Sequence, residues 1–210
     1  MTIDLQLYGA RTGNSLRAAI ALEEAELAYE ARLVDLRSGM QREEAFLALN
    51  PAGKVPVLID RRSSDEIILS QSNAIMLHVA DSALDRLMPA SGARDHARLL
   101  ERLFFFITDV IAPSHAAFPL QAGQDGNAIA ILQRRCLTNL ANAERFLAEG
   151  PFMAGHDFSL ADIAAVTIMM AFAAEIDWPA VPRLRDWYER VSARPAVIRG
   201  MHAFDRVGAR

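Results

Sequence analysis

Strand-like alternation ends at Leu69, and nothing in the remaining two thirds of the chain repeats it. Before that point the elements follow one another closely. Ile3, Leu5 and Leu7 alternate with Asp4, Gln6 and Tyr8, the period of two that marks a strand. A polar loop from Gly9 to Ser15 leads into Leu16, Ala19, Ile20, Ala21 and Leu27 at helical spacing, and Thr12, Asn14 or Ser15 could each cap that helix. Tyr29 to Leu36 alternates again, which completes the strand–helix–strand unit of a parallel pair. Ser38 to Leu49 holds a short second helix anchored by Phe46 and Leu49. Val55 to Asp60 and Ile67-Ile68-Leu69 are joined by the polar turn 61–65, tightly enough to be antiparallel. Ser70-Gln71-Ser72-Asn73 then opens a third helix.

The order β-α-β-α-β-β-α describes a thioredoxin-like α/β domain, with helices on both faces of a small sheet. Residues 1–82 are assigned to it, 83–92 to a linker containing Pro89, Ser91 and Gly92, and 93–210 to an all-α domain. In that second part Arg94 to about Phe118 is helical, with Leu99, Leu100, Leu103, Phe104, Ile107 and Ile111 on its apolar side and Pro113 set to kink or end it. Ala128 to Leu147 forms another helix. Ser159-Leu160-Ala161-Asp162 has the capping-box form and opens a helix apolar nearly all round, the expected centre of this half. Pro182 to Ala193 and Pro195 to about Phe204 complete it.

Composition narrows the function classes. A net charge of −4 argues against nucleic acid as the main partner. No basic segment followed by an apolar core stands at the N-terminus, and the apolar runs break before the ~20 residues of a membrane span. Cys136 is the sole cysteine, which excludes an intrachain disulfide and a CxxC pair, and the five histidines have no metal-ligand spacing. A cytoplasmic protein without metal is expected.

Asn50-Pro51-Ala52-Gly53-Lys54-Val55-Pro56-Val57-Leu58 places a proline at a strand entry, where it has no N–H to give a ladder. Val55-Pro56 is a candidate cis peptide, which would leave the backbone of Val55 facing outward to pair with an extended peptide-like ligand; an ordinary turn is the alternative. This stretch, with Gln71-Ser72-Asn73-Ala74-Ile75 and Phe158-Ser159-Leu160-Ala161-Asp162, resembles the cytosolic glutathione S-transferase superfamily in order, separation and domain switch. The resemblance implies glutathione as co-substrate, a small apolar electrophile as acceptor, and a homodimer.

On that resemblance the binding residues are Lys54, Val55, Gln71 and Ser72. The helix start at Ser72 suits the γ-glutamyl carboxylate, with Gln71 reaching the same end of the ligand. Val55 would exchange backbone hydrogen bonds with the cysteinyl unit, and Lys54 would meet the glycine carboxylate. Ser72 as a plain helix cap and Lys54 as a solvated surface charge are the competing readings.

A thiol of pKa near 8.5 needs a donor aimed at its sulfur to become a thiolate at neutral pH. In the family that donor lies after the first strand, where Tyr8, Thr12, Asn14 and Ser15 are available. Thr12 is taken as principal donor and Asn14 as its support, with Ser15 as a helix cap. Thr12-Gly13-Asn14 also resembles the Thr-Pro-Asn of a bacterial class associated with disulfide reduction, with Gly13 where that class has proline. The expected activity is glutathione transfer to electrophilic apolar compounds. Glutathione-dependent reduction of disulfides or peroxides, and a non-enzymatic binding or regulatory role, are the alternatives. Among Phe104, Phe105 and Phe106, neighbours ~100° apart cannot all face one core, so at least one is expected to line an acceptor cleft or a subunit interface. His115, Phe118 and Trp178 are further acceptor-side candidates.

Overall fold

The structure is a computed structural model that describes residues 3–83, 86–89, 94–120, 123 and 125–205. Two compact units emerge: Met1–Leu87 with Arg194–Arg210, and Met88–Ala193.

In the first unit β1 (Leu5–Gly9), β2 (Glu30–Leu33), β3 (Val57–Asp60) and β4 (Ile67–Leu69) form one sheet in the order β2-β1-β3-β4. β1 runs parallel to β2, with Leu7 opposite Ala31, and antiparallel to β3, with Tyr8 opposite Val57. β4 is antiparallel to β3. Alternation along β1 sends Tyr8 toward α2 (Glu44–Leu49), edge-on to Phe46 and packed on Val34 and Val57. It sends the buried Leu5 and Leu7 to the other face, where α1 (Gly13–Glu24) and α3 (Ser72–Ser82) pack together.

α1 is buried from Ser15 to Leu22 because a second helix lies against it. α9 (Pro195–Met201) is that helix, so the C-terminal segment expected in the all-α half packs with this unit. The close approach depends on Gly200, where a Cβ would meet Ile20 atoms at 2.6–2.7 Å. Arg194 holds Glu24 through two bonds of 2.7 Å, and Arg199 holds Glu23 at 2.6 Å. Past α9, Phe204 lies over Gly9, so close that a Cβ there would fall 2.3 Å from its ring.

The second unit is helical. α4 (Arg94–Phe104), a π-helical stretch (Phe105–Ile111) and α5 (Ala112–Leu120) form one continuous run. Pro113 does not end it, and helix continues to Leu120. A proline cannot bond the carbonyl four residues back; that carbonyl, Asp109 O, is instead satisfied by Asn139 Nδ2 at 2.8 Å from α6 (Gly126–Asn142). The run spans 27 residues and by length and composition is apolar enough to cross a membrane, so the expectation that every apolar run breaks earlier does not hold. Here its Leu99, Leu103, Phe106, Val110 and Ile111 are buried, and it packs against α6 and α7 (Leu160–Met169). Phe104, expected on the apolar side, is instead 52% exposed, one position round from the buried Leu103. Phe105 and Phe106 both meet Phe146 edge-on. The helix expected over 128–147 begins at Gly126, capped by Asp125, and tightens to 3-10 geometry after Asn142.

α7 is buried at every position, as its sequence predicts. Its capping box is formed: Asp162 accepts from Ser159 N at 2.9 Å and from Ser159 Oγ at 3.0 Å. Glu144 accepts from Arg183 N at 3.1 Å and Leu184 N at 2.6 Å, and so satisfies the first turn of α8 (Pro182–Ser192). Of the expected linker 83–92, residues 84, 85 and 90–92 lie outside the described residues.

Candidate functional site

The carboxyl end of β1 is where the expected ligand residues gather. Thr12 is the N-cap of α1: its extended backbone stops the loop, and its Oγ1 accepts from Ser15 N at 3.4 Å. Ser15 is fully buried, accepts from Ala10 N at 3.3 Å, and lies 3.1 Å from Thr12 Oγ1. Capping by Ser15 does not occur; it braces the loop from beneath. Because Ser15 Oγ already accepts from Ala10 N, its proton can go to Thr12, which leaves the Thr12 hydroxyl free to donate outward. Asn14 does not cap either, since its Oδ1 accepts from Arg17 Nη1 at 2.9 Å.

Thr12 opens on a cavity of about 560 Å³ shared with Arg11, Leu33, Asp35, Arg37 and Phe204. Asp35 Oδ1 accepts from Arg37 N at 3.0 Å and Ser38 N at 3.3 Å, a turn that sets both charges at the cavity wall. Arg11 is held by Asp205 at 2.9 Å.

On the other side of the loop, the β1–β3 ladder ends with Tyr8 opposite Val57, and Val55 lies two residues before that end of β3. The Val55–Pro56 bond is cis. Among the described residues neither the N–H nor the C=O of Val55 has a backbone partner. Asn50, buried in this loop, donates to Lys54 O at 2.6 Å and accepts from Ala52 N at 3.1 Å, which fixes the approach to Val55. The Lys54 side chain is exposed, and among the described residues no hydrogen bond or ion pair ties it to the other candidates.

Gln71 is the N-cap residue of α3 without a side-chain cap bond, and Ser72 is the first residue inside. The helix begins at Ser72 as expected, and the competing reading of Ser72 as its cap does not hold, because Gln71 occupies that position. Ser72 is buried, and its Oγ accepts from Arg17 Nη1 at 3.1 Å. Arg17 thus joins Asn14 to Ser72; among the described residues no hydrogen bond links Lys54, Val55 or Gln71 to that pair.

Arg17 is the member that sequence reasoning passed over. It is 1% exposed, and burial pushes its guanidinium down to about 10, still charged at neutral pH. The only sequence signal was its setting, an arginine between Leu16 and Ala18 at the start of an apolar helical run. Asn50, Arg37 and Phe204 carried no comparable signal. Tyr8 lies in the apolar cluster under α2. Phe118 is 73% exposed, and Trp178 stacks on Tyr188 and donates to Ala173 O at 3.0 Å. Among the described residues no three metal-ligating side chains converge.

Residues 3–81 match the model of the glutathione S-transferase N-terminal domain, and residues 114–199 match a model of the C-terminal domain. The chain is 30% identical to the Escherichia coli glutathione S-transferase GstB over 92% of its length and 95% of that protein's. It is 28% identical to the E. coli disulfide-bond oxidoreductase YfcG over 91% and 92%. Among solved structures, it superposes with TM-score 0.82 on a theta class glutathione S-transferase from Xanthomonas axonopodis pv. citri with glutathione bound, at 28% identity over 95% of this chain and 98% of that one.

Proposed function

The chain belongs to the glutathione S-transferase family, and from that premise we propose that it binds glutathione at the carboxyl end of β1 and activates its thiol for attack on electrophilic apolar compounds. The observation that carries this reading is the placement of Thr12, the unpartnered backbone of Val55 and the N-terminus of α3 at Gln71-Ser72 around one end of the sheet. Val55 N–H and C=O would pair with the cysteinyl unit of the tripeptide. The α3 N-terminus, with Ser72 and Gln71, would take the γ-glutamyl carboxylate, and Lys54 the glycine carboxylate.

The thiol sulfur then lies toward Thr12, whose hydroxyl would donate to the thiolate, with Asn14 alongside. The thiolate forms a carbon–sulfur bond as the leaving group departs with its electron pair. The sole cysteine, Cys136, is buried in α6 of the second unit, and glutathione's own thiol would be the nucleophile.

Similarity to YfcG, a disulfide-bond oxidoreductase, together with Thr12-Gly13-Asn14, favours a second reading. There the thiolate displaces one sulfur of a disulfide and forms a mixed disulfide. A second glutathione then releases the other thiol and leaves as oxidised glutathione. A homodimer and a cytoplasmic location belong to the same proposal, supported by family membership alone.

The test is titration of enzyme-bound glutathione by thiolate absorbance, with turnover compared on a chloroarene and on hydroxyethyl disulfide. Wild type is expected to lower the bound thiol below its free pKa of ~8.5, and Thr12→Ala to reverse much of that. An unchanged pKa in Thr12→Ala with a raised one in Tyr8→Phe would reassign the donor. A protein that retains no glutathione would leave only the non-enzymatic role.

A further inference from the structure

Arg17 lies between two groups assigned above to the ligand, and its chemistry restricts what each can present. A guanidinium only donates. At Asn14 the atom 2.9 Å from Nη1 is Oδ1, and the reversed amide would set N–H against N–H with no acceptor between them. An amide's oxygen and nitrogen lie on opposite branches of one plane. With Oδ1 given to Arg17, both Nδ2 protons are left for another acceptor. Ser72 Oγ accepts from the same Nη1 at 3.1 Å. Its single hydroxyl proton therefore points to something other than Arg17. Gln71 occupies the cap position of α3, so Ser72 Oγ is not engaged in capping its own helix.

Resting on the glutathione reading, we propose that Arg17 is the positioning residue of this site, holding Asn14 and Ser72 as outward-facing donors, the first to the thiolate and the second to the γ-glutamyl carboxylate. Both ligand groups are anions that accept, so a site with either residue reversed would show a lone pair to a negative charge. Burial of Arg17 within α1 keeps water from supplying the competing donors that would let Asn14 or Ser72 turn over. Because one nitrogen serves both partners, the loop that faces sulfur and the helix start that faces the carboxylate are set in register across 55 residues of sequence.

The experiment measures glutathione affinity and the pKa of bound thiol in full-length wild type, Arg17→Met, Arg17→Lys, Asn14→Asp and Ser72→Ala, each checked for folding by circular dichroism. Arg17→Met is expected to raise the thiol pKa by about one unit, tenfold less thiolate at a pH well below the pKa, and to weaken binding about tenfold. Arg17→Lys, also a pure donor, should recover most of the pKa. Asn14→Asp still pairs with Arg17 but offers sulfur no proton, so it should raise the thiol pKa more than it changes affinity. Ser72→Ala should do the converse. A folded Arg17→Met with wild-type affinity and thiol pKa overturns the inference while leaving glutathione binding intact. Wild type that fails to bind glutathione overturns the underlying reading as well. If Arg17→Met does not fold, Asn14→Asp decides: an unchanged thiol pKa rejects the polarity assigned to Asn14.

Discussion

Trp187 Nε1 donates to Asp162 Oδ1 at 2.8 Å, with both side chains fully buried. Asp162 also accepts from Met153 N at 2.9 Å and from both donors of Ser159. One carboxylate therefore ties together the loop before α7, the start of α7 and the middle of α8. Burial nonetheless dominates, and pushes its carboxyl up to about 6 against the pull of those donors.

A carboxyl raised in the folded state stabilises the fold below its ordinary range, and that contribution is lost as pH rises through the folded value. For Asp162 the window runs from about 4 to about 6 and amounts to about 3 kcal/mol. Asp162→Asn stays neutral throughout. Its stability deficit relative to wild type, read from urea unfolding at a series of pH values, should therefore be largest near pH 4 and smaller above pH 6. A deficit that grows with pH would mean that the four donors outweigh burial.

Asp60 should behave in the opposite way. Arg62 grips it through bonds of 2.6–3.1 Å, His78 Nε2 lies 2.7 Å away, and hydrogen bonding to Arg62 holds its carboxyl well below the usual range. Such a group stabilises above the ordinary carboxylate pKa, and the contribution disappears as pH falls below that range. Asp60→Asn is expected to cost about 1–3 kcal/mol at neutral pH, and the cost should shrink only below about pH 4. Acid titration of thermal stability would show it.

α9 is bound to α1 by a pair of arginines and by contact at one glycine. Glu24 is 8% exposed at its side chain, so Arg194→Ala leaves a nearly buried charge and should cost about 1–3 kcal/mol. Gly200→Ala should cost at least as much, because the clash is with the backbone of Ile20, which cannot rotate away. Melting temperatures of the two variants, and of Arg194→Ala with Glu24→Gln, separate charge from contact. A neutral Gly200→Ala would contradict the packing of α9 on α1.

Asn139 matters because Pro113 cannot serve the Asp109 carbonyl. Asn139→Ala is expected to lose about 1–2 kcal/mol. In a Pro113→Ala background the restored N–H can take that carbonyl, and the same substitution should cost less. Equal costs in the two backgrounds, by urea unfolding, would break the link.

Thr12 combines a cap and a candidate donor, and two substitutions divide the roles. Thr12→Ser retains both. Thr12→Val removes both, and should destabilise the protein by about 1 kcal/mol while raising the bound-thiol pKa. Loss of stability without a change in the thiol would leave Thr12 a cap alone.

Local chemistry carried most of the fold. Alternation in Ile3–Tyr8, the Ser159–Asp162 box and the proline at position 56 each report on a few neighbouring residues; the box and the cis bond formed where those signals stood, and the strand formed from Leu5 to Gly9. Of the candidate site, Val55 and Ser72 were legible as a strand entry and a helix start, whereas Thr12 was one of three possible caps, and Ser15, the residue expected to cap, does not.

The tertiary structure decided what those residues could offer one another. Arg17 stands in sequence as a lone arginine between Leu16 and Ala18, and only folding brings it within 3.1 Å of Ser72. Pro113 reads as a break in sequence, but a side chain from α6 takes over its missing bond. α9 reads as one more helix of the second half, yet Gly200 admits the Ile20 backbone so closely that it packs with the first. Periodicity and capping act over a few bonds, whereas the polarity of a hydrogen bond and the fit of one helix on another depend on partners that the sequence leaves far apart.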